Sequence, residues 1–65
     1  PNDMTVCQFI FIIRRKLQLH SKYALFLFVN DILPANSDHI GRLYDFYKND
    51  NLILDIHVKL ENTFG

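Results

Sequence analysis

Leu25-Phe26-Leu27-Phe28-Val29-Asn30-Asp31 is the stretch on which the fold turns. Five consecutive apolar residues closed by turn formers predict a short strand, covered on both faces because no polar residue interrupts it. Asn30-Asp31 ends the strand with turn chemistry, since both side chains can hydrogen-bond their own backbone.

Upstream, Thr5-Val6-Cys7-Gln8 fits a capping box, a hydroxyl at the N-cap followed three residues later by Gln. Val6, Phe9, Ile10, Ile13 and Leu17 then recur at helical spacing. Phe11 and Ile12 widen the apolar surface, so this helix is expected to be buried on more than one side. Arg14, Arg15 and Lys16 fall in its last turn, where cations complement the helix dipole. Downstream, Asn36 is a candidate cap for a second helix with the stripe Ile40, Leu43, Tyr44 and Tyr47, stopped by Asn49-Asp50-Asn51. From Leu52 to Val58 the pattern alternates. Leu52, Leu54, Ile56 and Val58 share one face, and Ile53, Asp55 and His57 the other, which predicts a half-buried strand. The expected order is helix, strand, helix, strand, tail, an α+β arrangement. Two strands are too few for the apolar surface of the two helices, and an isolated strand pair is marginal in water.

Composition bounds the function. Sixty-five residues allow one small domain, and 49% of them are hydrophobic, with six Phe, too many for a disordered segment. Such a chain buries only about 60% of the surface its unfolded form exposes. Seven basic and seven acidic residues give no net charge, which argues against a nucleic-acid partner. Cys7 is the single cysteine, so no disulfide framework exists, and a buried inert thiol is the expected state. His20, His39, His57 and Cys7 lack the close spacing of a zinc site, and nothing beside Cys7 in sequence would activate it as a nucleophile. No cofactor and no enzymatic activity are expected. No apolar run reaches the roughly 18 residues of a membrane-spanning helix, and no signal peptide is recognisable. The chain opens on Pro1, which suggests a processed product or a fragment.

Several blocks together resemble a known family. They are Thr5-Val6-Cys7-Gln8-Phe9, Ile13-Arg14-Arg15-Lys16-Leu17-Gln18-Leu19, Leu25-Phe26-Leu27-Phe28-Val29-Asn30-Asp31, Leu33-Pro34, Leu43-Tyr44 and Glu61-Asn62-Thr63-Phe64-Gly65. At their mutual spacing, without gaps, they resemble the autophagy ubiquitin-like modifiers, the autophagy-related protein eight family of GABARAP and microtubule-associated light chain three type. The resemblance covers the C-terminal half of such a modifier. It implies an incomplete ubiquitin-like β-grasp fold over 1–65, lacking two N-terminal helices and the first β-hairpin, with 60–65 as a flexible conjugation tail. In the β-grasp sheet the first strand lies beside the last, so the last strand here would lack a neighbour. Cys7 stands where the family usually has Gly. Asn49-Asp50-Asn51-Leu52-Ile53 replaces an acidic turn with Gly and aromatics, and Lys59-Leu60 replaces small residues before the tail.

The resemblance also implies sites and partners. The Gly65 carboxylate would become an adenylate, then a thioester on activating and conjugating enzymes, and finally an amide on phosphatidylethanolamine of an autophagosome or cytoplasmic-vesicle membrane. Thr63 and Phe64 would contact a processing cysteine protease and the activating enzyme. Receptors carrying an aromatic-x-x-aliphatic motif would add as a strand to the sheet edge. Pro1, Met4, Phe9 and Ile12 match positions around the aliphatic pocket, and Ile53 is what remains of the aromatic one. Arg14 and Lys16 match basic positions that recognise acidic residues beside the motif. Plain packing for Phe9 and Ile12, and ordinary helix-end cations for Arg14 and Lys16, remain the competing readings. Phe26 and Phe28 match a pair linked to conjugation, with core packing as the preferred reason for both. The alternative function is a truncated, non-conjugated peptide-binding module or inert isoform. A sibling modifier joined to protein lysine typically ends in Trp-Gly, which Phe64 opposes.

Overall fold

Thr5 opens the first helix as the sequence predicts. Its Oγ1 accepts from the Gln8 amide at 3.2 Å, and Gln8 Oε1 accepts from the Thr5 amide at 2.9 Å. Two of the orphan donors of the helix start are thus satisfied reciprocally, an arrangement whose removal typically costs about 1 kcal/mol. These geometries come from a computed structural model, which describes residues 3–62. The helix, α1, spans Val6–Leu17, and Gln18 closes it in the left-handed region at φ 52°. The Gln18 amide reaches the carbonyls of Arg14 and Arg15, satisfying acceptors left over in the last turn.

The strand β1 runs Tyr23–Val29, the helix α2 runs Ile40–Tyr47, and the strand β2 runs Ile56–Asn62. The two strands pair antiparallel, with Val29 opposite Ile56, Leu27 opposite Val58 and Leu25 opposite Leu60. Asn30 and Asp31 turn the chain after β1, both at positive φ (53° and 65°). Val29 and Ile32 exchange backbone hydrogen bonds at 2.8 and 2.9 Å across them. Positive φ at both central residues is what a tight two-residue loop demands, and Asn and Asp tolerate it best after Gly.

Val6, Leu25, Leu27, Val29 and Leu43 form the buried core, with Phe9, Ile10, Ile13, Ile40, Tyr47 and Ile56 packed against it. Of the stripe expected on α2, Leu43 joins the core and Ile40 and Tyr47 pack against it, while Tyr44 is half-buried outside it. A short backbone zipper holds the two helix starts together. The Val6 amide donates to the Asp38 carbonyl at 2.8 Å, and the Ile40 amide donates to the Met4 carbonyl at 2.8 Å.

Five expectations are corrected. First, β1 is covered on one face only. Leu25, Leu27 and Val29 are buried, while Phe26 on the other face is 39% exposed and Phe28 is half-buried. An unbroken apolar run therefore hides a period-two strand. Second, α1 is not buried on more than one side: Phe11 is 60% exposed. Third, the N-cap of α2 is His39, which makes no side-chain cap hydrogen bond, and not Asn36. The Asn36 carbonyl instead accepts from the Cys7 amide at 3.1 Å. Fourth, the last strand is Ile56–Asn62 rather than Leu52–Val58. Asn49 Oδ1 accepts from the amides of Asn51 and Ile53 at 2.8 and 3.1 Å, and Tyr44 Oη donates to the Leu52 carbonyl at 2.8 Å. These bonds hold Leu52 and Ile53 in a turn, with Leu52 at φ 63°, so pairing starts later. Fifth, Leu60, Glu61 and Asn62 belong to β2, opposite Leu25, Ala24 and Tyr23, and not to a loose tail.

Candidate functional site

Phe9, Ile12 and Lys16 follow one another on α1 at three- and four-residue spacing, which lines them up along one stripe of the helix. Phe9 is half-buried against the core, Ile12 is 38% exposed, and Lys16 is exposed. The stripe thus grades from packed to solvated. Phe9 has a structural task in the core, while Ile12 keeps apolar surface available. Met4 lies just before the helix, half-buried, with its carbonyl tied to Ile40. Pro1 lies outside the described residues, as do Thr63, Phe64 and Gly65.

Arg14 does not share this stripe. Its Nη1 donates to the Tyr23 carbonyl at 2.7 Å and its Nη2 to the His20 carbonyl at 3.2 Å. The guanidinium braces the end of α1 against the start of β1, so a structural task is added to the helix-end reading. Lys16 carries the remaining charge of the expected pair. Ile53 is 55% exposed and sits in the turn after α2, where its amide and carbonyl both bond to Asn49.

Two recesses were not foreseen from the sequence. One, of about 460 Å³, lies between α1, β1 and the Leu33–Asn36 segment, lined by Val6, Cys7, Ile10, Phe26, Leu33 and Pro34. Cys7 is exposed there, which corrects the expectation of a buried thiol. Phe26 also lines it, and neither Phe26 nor Phe28 belongs to the buried core cluster, against the packing role preferred for both. The signal in the sequence was the apolar run Ile32-Leu33-Pro34-Ala35 just past the Asn30-Asp31 turn. The other, of about 780 Å³, opens along α2 between His39, Arg42 and Phe46, where Phe46 is 79% exposed with its ring edge-on to Tyr47.

Among the described residues no three His, Cys, Asp or Glu side chains gather as metal ligands. No helix of the described residues is long and apolar enough to cross a membrane. Among the described residues the arrangement offers apolar surface on α1 and around β1.

Comparison with known proteins agrees with this geometry. The family model described as "Autophagy protein Atg8 ubiquitin like" matches residues 1–65. Autophagy-related protein 8 of Pichia angusta is 46% identical over 65 residues, covering 100% of this chain and 52% of the relative. Autophagy-related protein 8 of Candida albicans is 43% identical, covering 100% of this chain and 48% of the relative. The crystal structure of Trypanosoma brucei ATG8 matches with a TM-score of 0.85 and 35% identity, over 100% of this chain and 56% of that one. The chain therefore spans about half the length of the curated relatives it matches. Its two helices and antiparallel strand pair are part of a ubiquitin-like α+β fold. On these matches the chain belongs to the Atg8 family of ubiquitin-like autophagy proteins.

Proposed function

We propose that this chain is a ubiquitin-like modifier of autophagy, joined through the Gly65 carboxyl to the amine of phosphatidylethanolamine and recruiting cargo receptors to autophagosomal membranes. The observation that carries this reading is the family match over residues 1–65, tail included. In this role the chain is a substrate of activating and conjugating enzymes, not an enzyme. Glycine suits a terminal acyl donor because it carries no side chain to obstruct a narrow enzyme channel. Thr63 and Phe64 serve as contacts for the processing cysteine protease and the activating enzyme. The protein divides between cytoplasm and membrane according to whether lipid is attached.

Receptor peptides of the aromatic-x-x-aliphatic type bind by strand addition, with Pro1, Met4, Phe9 and Ile12 receiving the aliphatic anchor and Ile53 bordering the aromatic one. Lys16 meets the acidic residues that flank the motif. Arg14 contributes its positive field while its donors brace the fold.

A second reading is a non-conjugated peptide-binding module or inert isoform of the same family. The experiment mixes the protein with activating enzyme, conjugating enzyme, ATP and phosphatidylethanolamine liposomes. Conjugation of the parent chain and its loss in Gly65→Ala is the expected result. A parent chain that forms no thioester with the activating enzyme would favour the second reading. Equal lipidation of the Ala variant would overturn the Gly65 assignment.

A further inference from the structure

Arg14, Arg15, Lys16 and Lys22 are four of the chain's seven Lys and Arg residues, and residues 4–30 contain no Asp or Glu. The fold gathers these cations at one end of the molecule. Arg14, Arg15 and Lys16 form the last turn of α1, and Lys22 directly precedes β1, whose first residue Arg14 holds through the Tyr23 carbonyl. Acids cluster at the other end. The Asp38 carbonyl accepts from the Val6 amide at the opposite end of α1, and the Asp55 carbonyl accepts from the Asn30 amide just past the opposite end of β1. Glu61 does reach the basic end, opposite Ala24, and there pairs with Lys59 at 3.3 Å. A chain without net charge is therefore strongly polar along its strands.

The basic end also carries apolar surface, with Phe11 60% and Leu17 58% exposed. Arg15 follows Val6 by about two and a half helical turns, so its side of α1 faces away from the sheet against which Val6 is buried. Phe11 shares that side, four residues earlier, with the Arg15 guanidinium 5.9 Å from its ring centre. Strands added to the sheet extend it sideways and do not reach this side. β2 ends at Asn62, opposite Tyr23, so the chain leaves the sheet at the basic end. Gly65 follows three residues later, within a reach of about 10 Å.

We propose that Phe11, Arg15, Lys16 and Lys22 seat this end of the chain on an anionic lipid surface. The proposal rests on the Gly65 reading for its tether, and on the pattern of charge and apolar surface for its contact. Cations around an exposed aromatic ring fit a headgroup layer: the cations meet phosphates and carboxylates, and the ring enters the acyl boundary. A lipid on Gly65 holds the cations close to the headgroups, where salt does not screen the attraction away. Tether and contact lie at the same end, so anchoring sets the orientation of the chain and turns the acidic end away from the bilayer.

The chain contains no Trp, so a single Trp replacement reports its own surroundings. Cys7→Ser combined with Gly65→Cys, coupled through a maleimide to phosphatidylethanolamine, supplies the tether without any conjugating enzyme. Failure of the contact is thereby separated from failure of the Gly65 reading. In this background the fluorescence of Phe11→Trp should shift to the blue on phosphatidylcholine vesicles containing phosphatidylserine, and not on phosphatidylcholine alone. Phe46→Trp, at a 79% exposed position on α2, should shift on neither. Adding Arg15→Gln should lower the ratio of docked to undocked chains about fivefold, the worth of one cation near such a surface. Arg42→Gln removes the same charge from α2 and should change the ratio by less than about twofold. No shift for Phe11→Trp, an equal shift on neutral vesicles, an equal shift for Phe46→Trp, or equal losses from Arg15→Gln and Arg42→Gln would each overturn the proposal. A soluble polyglutamate peptide that produced the same blue shift without vesicles would also overturn it, and would assign the surface to acidic peptides.

Discussion

Arg14 Nη1 lies 2.7 Å from the carbonyl oxygen of Tyr23, bonding the last turn of α1 to the first residue of β1. The same guanidinium reaches the His20 carbonyl, so one cation fixes the whole connection between helix and strand. Net hydrogen bonds to charged groups contribute about 1.5–3 kcal/mol. Arg14→Ala is therefore expected to lower the unfolding free energy by about that amount, whereas Arg15→Ala and Lys16→Ala, both exposed, should each change it by less than about 0.5 kcal/mol. Urea denaturation of the three variants checks this. Equal effects across the three would mean that Arg14 acts as one more surface charge.

Leu27 and Phe26 are neighbours on opposite faces of β1, 1% and 39% exposed. Leu27→Ala should cost about 2–5 kcal/mol, enough to unfold a domain this small, because it removes buried methyl groups at the centre of the core. Phe26→Ala should cost clearly less while leaving the 460 Å³ recess wider. Circular dichroism melts compare them directly. A larger loss for Phe26 would reverse the assignment of inner and outer faces.

The alternating faces of β1 were not legible in Leu25-Phe26-Leu27-Phe28-Val29, since five apolar residues carry no contrast between inside and outside. The helix start was legible at Thr5 and Gln8 because a cap is written in local chemistry. The start of β2 was not, because Asn49, Tyr44 and Leu52 build their turn from contacts up to eight residues apart, which periodicity does not see. Lys59 and Glu61 continue the alternation past Val58 into β2, whereas the resemblance assigns 60–65, Glu61 included, to a tail. Of the proposed binding residues, Phe9 and Ile12 were named through the family resemblance, while the bracing role of Arg14 needed the position of β1.

Leu52 adopts φ 63°, a region that costs a non-glycine residue about 1 kcal/mol or more. Leu52→Gly should therefore be neutral to stabilising by about 1 kcal/mol, as the side chain is 63% exposed and its loss removes little burial. Leu52→Val should destabilise, since β-branching sharpens the conflict. Thermal melts of both variants test the turn. Destabilisation by Gly would show that the Leu52 side chain is packed in solution.

On the proposed function, aromatic-x-x-aliphatic peptides should bind more weakly than they bind a relative with an aromatic residue in place of Ile53. Ile53 stands in a turn fixed by Asn49, apart from the stripe of Phe9 and Ile12 on α1. Loss of one main anchor commonly costs about 2 kcal/mol or more, over tenfold in affinity. Calorimetry on the 65-residue chain beside such a relative decides the point. Equal affinities would mean that the α1 stripe suffices for recognition.

The central claim, that Gly65 is an acyl donor to a lipid amine, is tested most directly by the intact mass of the native protein recovered from cell membranes. The account predicts a membrane-bound form heavier than its soluble counterpart by one phosphatidylethanolamine less one water, with the added mass on the peptide ending in Gly65. A membrane-bound form with an unmodified Gly65 carboxylate, or a lipid adduct on any other residue, would contradict it.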